Sequence, residues 1–229
     1  DAFAGWLSVW RHQYQTGLWN AGVQDPWESM LPKALRGYTP VVVQSSGGVA
    51  GGIVTEGMGY GIMIEGVLAA KGEDVRALNY SLSLIKSWLA LVNGGVSKGT
   101  IVQPFGGGAN ESNSSTKVGT WPYGISAIEW SHDKTMPVGV PAWKFPISEK
   151  TIAANQGSAT DGDQDALLGM VFTARALRYP PDFVDMVMRS VITFASADLG
   201  FPDLYRVLPG GEKAFVTKLG SMWGGLLPE

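Results

Sequence analysis

The stretch Thr55-Glu56-Gly57-Met58-Gly59-Tyr60-Gly61 stands just before a strongly apolar segment. It sets one carboxylate and one tyrosine among three glycines. The residues that follow, Ile62, Met63, Ile64, Val67 and Leu68, are apolar nearly all round. That pattern predicts a buried helix with its start at Thr55 or Glu56. Lys71-Gly72-Glu73-Asp74 then reads as a turn. Beyond it, Val75, Leu78, Leu82, Ile85, Leu89 and Val92 recur at steps of three and four, which predicts a long amphipathic helix running back along the first. Two helices joined by so short a turn form an α-hairpin.

The rest of the chain repeats this grammar. Upstream, Phe3, Trp6, Leu7, Trp10 and Tyr14 mark one apolar face of a helix over residues 3–14. Residues 20–54 read as loop with a short extended piece at Val41-Val42-Val43. Downstream, residues 163–178 carry Leu167, Leu168, Met170, Val171, Ala174 and Leu177 and return to helix. Pro180-Pro181 breaks that helix, and Phe183, Val184, Val187, Met188, Val191 and Phe194 give the next, a second hairpin. Between the hairpins, residues 93–157 are rich in Gly, Ser, Asn and Pro, with Trp121, Trp130 and Trp143 interleaved. Only residues 120–130 hint at a helix there, and loops of such length are uncommon unless functional. Helix pairs with long loops and almost no strand signal argue an all-α fold of stacked hairpins. No short fixed repeat marks a regular solenoid.

Composition narrows the function. A chain of 229 residues suffices for one sizeable domain with a well-buried core. The net charge of −3 and the absence of a basic run argue against nucleic acid as a partner. No apolar run reaches the roughly 18 residues that span a bilayer. Cysteine is absent, which excludes disulfides and thiol chemistry. Aromatic residues build cores, and any single tryptophan is more often packed there, but they also line clefts for sugars, and among nine tryptophans some are expected in a cleft. The chain begins with Asp rather than Met, which fits a removed leader and an extracellular, secreted protein.

Two clusters of acids carry the candidate chemistry. The first is Glu56 with its glycines, which leave the backbone bare for close approach. The second is Ala159-Thr160-Asp161-Gly162-Asp163, again just before an apolar segment, with Asp165 following. Two carboxyl groups at helix entrances are what acid–base cleavage of a glycosidic bond requires. Both clusters also have a purely architectural reading. Glu56 would favour the helix dipole, and Thr160 or Asp161 would serve as an N-cap. A helix N-terminus favours a charged carboxylate, whereas a general acid must hold a proton, which takes burial or a neighbouring carboxylate. Three alternate acids are more than capping explains, and such crowding raises the pKa of at least one member. Other chemistries find no support. His12 and His132 lie far apart with no ligand-spaced partner, so no metal site is expected. The glycines lack the later features of a dinucleotide fold, no phosphate loop or nucleophile elbow is present, and no cofactor is expected.

The two clusters together carry a resemblance. Thr55-Glu56-Gly57-Met58-Gly59-Tyr60-Gly61 resembles the S-E-G-x-G-Y-G motif of glycoside hydrolase family 8. Gly157-Ser158-Ala159-Thr160-Asp161-Gly162-Asp163 resembles that family's A-T-D-[AG]-D signature. Pro141-Ala142-Trp143 stands where the family often has a short tryptophan-containing strand, and Gly220-Ser221-Met222-Trp223-Gly224-Gly225 resembles a later G-S-x-W-G-G segment. Order and rough spacing agree over about residues 3–225. Ala166-Leu167 departs from the signature, which prefers Ile or Met followed by Ala.

The resemblance implies an (α/α)6 barrel and inverting hydrolysis of a β-1,4-linked glucan, xylan or chitosan. Glu56 then matches the general acid, and Asp161 the acid that grips and distorts the sugar at the cleavage point. Tyr60, Trp121, Trp130, Trp143, Asp163 and Trp223 are the expected substrate contacts. A barrel of twelve helices needs roughly 350 residues, so residues 1–229 are expected to form a single, incomplete barrel-like domain without its last hairpins. The base that activates water lies in that later part in many members, and no base is identifiable here. The late acids are Asp198, Asp203 and Glu212. The expected partner is a linear β-1,4-polysaccharide, with self-association or a second chain completing the barrel. The rival reading is a non-catalytic carbohydrate-binding or wall-structural protein derived from the same fold.

Overall fold

The computed structural model describes residues 2–15, 31–44, 53–92, 96–97, 100–101, 141, 143–145, 159–198 and 205–215. The described residues are mostly helical. Helix α1 spans Ala2–Arg11, α2 Thr55–Lys71, α3 Ala77–Val92, α4 Thr160–Ala176 and α5 Pro181–Asp198. Among the described residues, strands are confined to four antiparallel pairs of two or three residues each. Tyr14–Gln15 (β1) pairs with Val42–Val43 (β2), and Ile53–Val54 (β3) with Lys144–Phe145 (β6). Val96–Ser97 (β4) pairs with Thr100–Ile101 (β5), and Tyr205–Val207 (β7) with Lys213–Phe215 (β8).

The all-α expectation and both hairpins stand, with corrections at their ends. The first helix stops at Arg11 rather than Tyr14. Tyr14 belongs to β1, and the Gln44 N–H donates to the Gln13 carbonyl at 2.9 Å, so pairing with a distant strand overrides the helical spacing. Val75 is no core residue: it lies in the turn before α3 and is 93% exposed. Helix α4 begins at Thr160, three residues earlier than its apolar spacing suggests. The turn after α2 closes as expected of a glycine end. Gly72 adopts φ 71°, and the N–H groups of Gly72 and Glu73 reach the carbonyls of Ala69 and Leu68 at 3.1 and 3.2 Å. The expected helix over 120–130 lies outside the described residues.

One principal core joins α2 to α5 with β2 and the Lys33–Leu35 turn, and Trp88, Phe183, Met58, Ile62, Leu84 and Ile85 are fully buried in it. Its densest part is the contact of α2 with α4. Gly59 and Gly66 lie two turns apart on α2, as do Gly162 and Gly169 on α4, so each pair shares one helix face. These faces meet backbone to backbone. A methyl at Gly162 would lie 2.7 Å from the Glu56 nitrogen, and one at Gly169 would lie 2.5 Å from the Ile62 carbonyl carbon. Methyls at Gly59 and Gly66 would strike the carbonyl oxygens of Gly162 and Gly169. Contacts that climb both helices together require α2 and α4 to run parallel, with their N-termini at one end.

A buried ion pair ties α1 to this layer. Arg11 donates through Nε and Nη2 to the two oxygens of Glu65 at 2.7 and 2.5 Å, and through Nη1 to Asp74 at 2.6 Å. The Tyr14 hydroxyl adds a bond to Glu65 at 2.9 Å, and the guanidinium lies 4.7 Å from the Tyr80 ring centroid. Glu65 is wholly buried. Burial alone would lower the proton affinity of Arg11, but its bonds to Glu65 and Asp74 outweigh this and raise it. Burial, then the charge of Glu65, pushes the Tyr14 hydroxyl well above the usual phenol range.

Candidate functional site

The parallel glycine contact delivers the two acid clusters to one place. Glu56 and Tyr60 stand one turn apart at the start of α2, and Asp161 and Asp165 one turn apart at the start of α4. Gly59 and Gly162 lie between them. With no side chain at position 59, its Cβ position would sit 3.1 Å from the Asp165 Cβ. Gly59 and Gly162 are therefore the means of bringing the acids together, whereas Gly57 and Gly61 face Val43.

Neither helix is capped by a side chain. The N-cap residues are Val54 and Ala159, both extended and without a capping bond. Thr160 and Asp161 are thus first-turn residues, and the reading of either as an N-cap is corrected. The Asp161 Oδ1 accepts from the Gly162 N–H at 2.8 Å, a local bond. At the entrance to α2, the Thr55 N–H donates to the Trp143 carbonyl at 2.9 Å, and the Thr55 hydroxyl donates to the same oxygen at 3.3 Å. The β3–β6 pairing holds Trp143 there. Trp143 is therefore at the acid end of the layer, partly buried.

The electrostatics of the four groups are linked. Tyr60, 38% exposed, donates its hydroxyl to Oε1 of the half-buried Glu56 at 2.7 Å. That bond, then the charge of Glu56, pushes the phenol up to about 12, with smaller contributions from burial, Asp165 and Asp161. Burial, then the charges of Asp161 and Glu56, raises the Asp165 carboxyl above the ordinary carboxylate range. Crowding was expected to raise one acid of the second cluster. The acid is Asp165, and burial contributes more than either neighbouring charge does. Two helix N-termini side by side place partial positive charge beneath this end, yet among the described residues no Lys or Arg pairs with Glu56, Asp161 or Asp165.

Of the expected site residues, the structure brings Glu56, Tyr60 and Asp161 together and sets Trp143 beside them. Asp163 is fully buried in α4, so its side chain lies out of contact with solvent, whereas Asp161 is exposed. Asp165 was not among the expected contacts. Its signal was present in sequence, four residues after Asp161 on the same helix face. Trp121, Trp130 and Trp223 lie outside the described residues, as does Asp203. Asp198 ends α5, and Glu212 is exposed in the turn between β7 and β8.

Comparisons with known proteins bear on the fold. No protein-family model and no curated protein sequence matches the chain. Among solved structures, the chain is similar to the apo structure of a beta-1,3-1,4-glucanase from Paenibacillus sp. X4, with a TM-score of 0.54 at 15% identity. The likeness covers 96% of this chain and 38% of the glucanase chain. At that identity it speaks for a shared fold, over little more than a third of the glucanase's length.

Proposed function

We propose that this protein acts on a linear β-1,4-linked polysaccharide, such as a glucan, xylan or chitosan, as a relative of glycoside hydrolase family 8. In this reading its helices are part of an (α/α)6-type barrel, and it contributes the acid side of an inverting site. The observation that carries the reading is the parallel packing of α2 on α4, which sets Glu56 beside Asp161. The fold likeness to a glucanase, at 15% identity, is consistent with it.

Glu56 is suited to protonate the leaving glycosidic oxygen. One of its carboxyl oxygens is engaged by Tyr60 and the residue is half-buried. Asp161, exposed at the next helix entrance, is suited to bind sugar hydroxyls as charge develops. An inverting reaction also needs a base that activates water on the opposite sugar face, and the sequence identifies no residue for that role. Hydrolysis by these 229 residues alone should accordingly be slow. Exposed aliphatic residues on α4 and α5 support an association that covers those faces, with Leu168 47%, Val171 46%, Met188 54% and Ile192 54% exposed.

The test is hydrolysis of soluble β-1,4-glucan, xylan and chitosan by the chain and by Glu56→Gln, followed by released reducing ends. The expected result is slow turnover on at least one substrate that Glu56→Gln abolishes. Turnover unaffected by Glu56→Gln would sink the assignment. Tight binding of an oligosaccharide with no Glu56-dependent turnover would favour a non-catalytic carbohydrate-binding protein.

A further inference from the structure

We infer that Tyr60 is a positioning residue, whose hydroxyl holds Oε1 of Glu56 and leaves Oε2 as the oxygen that hands a proton to the substrate. The inference rests on the reading of Glu56 as the general acid. It changes the role of Tyr60 from sugar contact to orienter of the acid.

The geometry carries it. Glu56 and Tyr60 are four residues apart on α2, so their side chains lie one above the other on one face. The hydroxyl donates to Oε1 at 2.7 Å, a well-formed O–H···O bond. A carboxyl on a flexible stem at a surface has several rotamers, and only one presents an oxygen to a scissile bond. Fixing one oxygen selects that rotamer, and such orientation accounts for a large share of catalytic rates. The proton balance is simple. Glu56 carries its proton on Oε2 and gives it to the glycosidic oxygen as the C–O bond breaks. The resulting carboxylate keeps the Tyr60 bond, which strengthens as charge appears on the acceptor. Tyr60 stays protonated throughout, consistent with a phenol pushed up to about 12.

The test has two arms on the full chain. In the first, tyrosine ζ-carbons are labelled, the Tyr60 resonance is assigned with Tyr60→Phe, and ionisation is followed by NMR up to a pH of about 10.5. Tyr60 should remain protonated in the wild-type chain and ionise near the ordinary value of about 10 in Glu56→Gln. Ordinary ionisation in both chains overturns the inference. In the second arm, Tyr60→Phe should lower kcat on a cello-oligosaccharide about tenfold while KM stays within about twofold. The defect should shrink on an aryl glycoside whose leaving group needs little protonation. A raised KM with kcat preserved overturns the inference in favour of a sugar contact. A wild-type chain without Glu56-dependent hydrolysis overturns the assignment of Glu56, and with it the catalytic role of Tyr60. In that event a surviving titration link marks the bond as structural only.

Discussion

Helix α2 carries two glutamates, nine residues and about 13 Å of helix apart, and they are treated in opposite ways. Glu65 is wholly buried, and both its oxygens are taken by Arg11, with Tyr14 adding a third bond. Glu56 is half-buried, holds one tyrosine hydroxyl, and lies near Asp161 and Asp165 with no cation paired to it among the described residues. The difference is that between an acid used to hold elements together and an acid left available. Where the chain needs α1 fixed to α2, it neutralises the charge completely. Where α2 and α4 begin, it crowds acids over two helix N-termini and, among the described residues, pairs none of Glu56, Asp161 and Asp165 with a Lys or Arg.

The contrast can be broken most forcefully at its stable end. Arg11→Met leaves Glu65 buried without its cation and should destabilise the protein by about 3–5 kcal/mol, measured by urea unfolding. The double variant Arg11→Met with Glu65→Leu should recover most of that loss, because a well-packed apolar pair replaces a buried ion pair at little cost. If the double variant is no better than the single one, Glu65 has a role beyond its partnership with Arg11.

The helix contact comes next. Gly169→Ala drives a methyl to within 2.5 Å of the Ile62 carbonyl carbon, which only a backbone shift relieves. A loss of about 1–3 kcal/mol is expected, whereas Gly5→Ala, with nothing within 4 Å of the added methyl, should be neutral or stabilising by thermal denaturation. Equal effects would mean that α2 and α4 do not pack glycine to glycine.

The smallest effect lies at the acid end and depends on pH. Asp165 holds its proton more tightly folded than unfolded. Between the ordinary carboxyl value and that raised value the folded state binds more protons, so stability falls as pH rises through the window. Asp165→Asn removes this penalty. It should match the wild-type chain below the window and exceed it at neutral pH, with a gain in Tm of about 1–2 °C. A gain that is the same at both ends of the window would show that the Asp165 carboxyl does not titrate abnormally.

Much of this was legible in sequence, for reasons that differ by element. The four long helices described after residue 54 announce themselves by apolar spacing, because each buries a face against a neighbour. The acid motifs are local and compact, so their pairing follows once both are placed at the entrances of helices in one layer. The glycine contact was readable too, since Gly59 and Gly66 repeat the seven-residue spacing of Gly162 and Gly169. The ends of α1 and α4 were not. Tyr14 leaves the helix because a strand from residues 42–43 captures it, and a contact between distant segments has no local signature. The Arg11–Glu65 pair is of the same kind, joined across 54 residues. Its trace is that Arg11 is the one charge in α1, and that Glu65 interrupts an apolar run. Asp163 shows the limit of reading a motif residue by residue. Alternate positions on a helix point to different sides, so Asp161 reaches solvent while Asp163 is buried.

If the entrances of α2 and α4 form one carbohydrate site, as proposed, amide NMR during titration with a cello-oligosaccharide should show it. Shifts should concentrate at Glu56, Tyr60, Asp161 and Asp165, and Asp161→Asn should weaken them. Shifts confined to residues elsewhere in the chain, or no binding of any β-1,4-linked oligosaccharide, would mean that these two entrances do not bind the sugar.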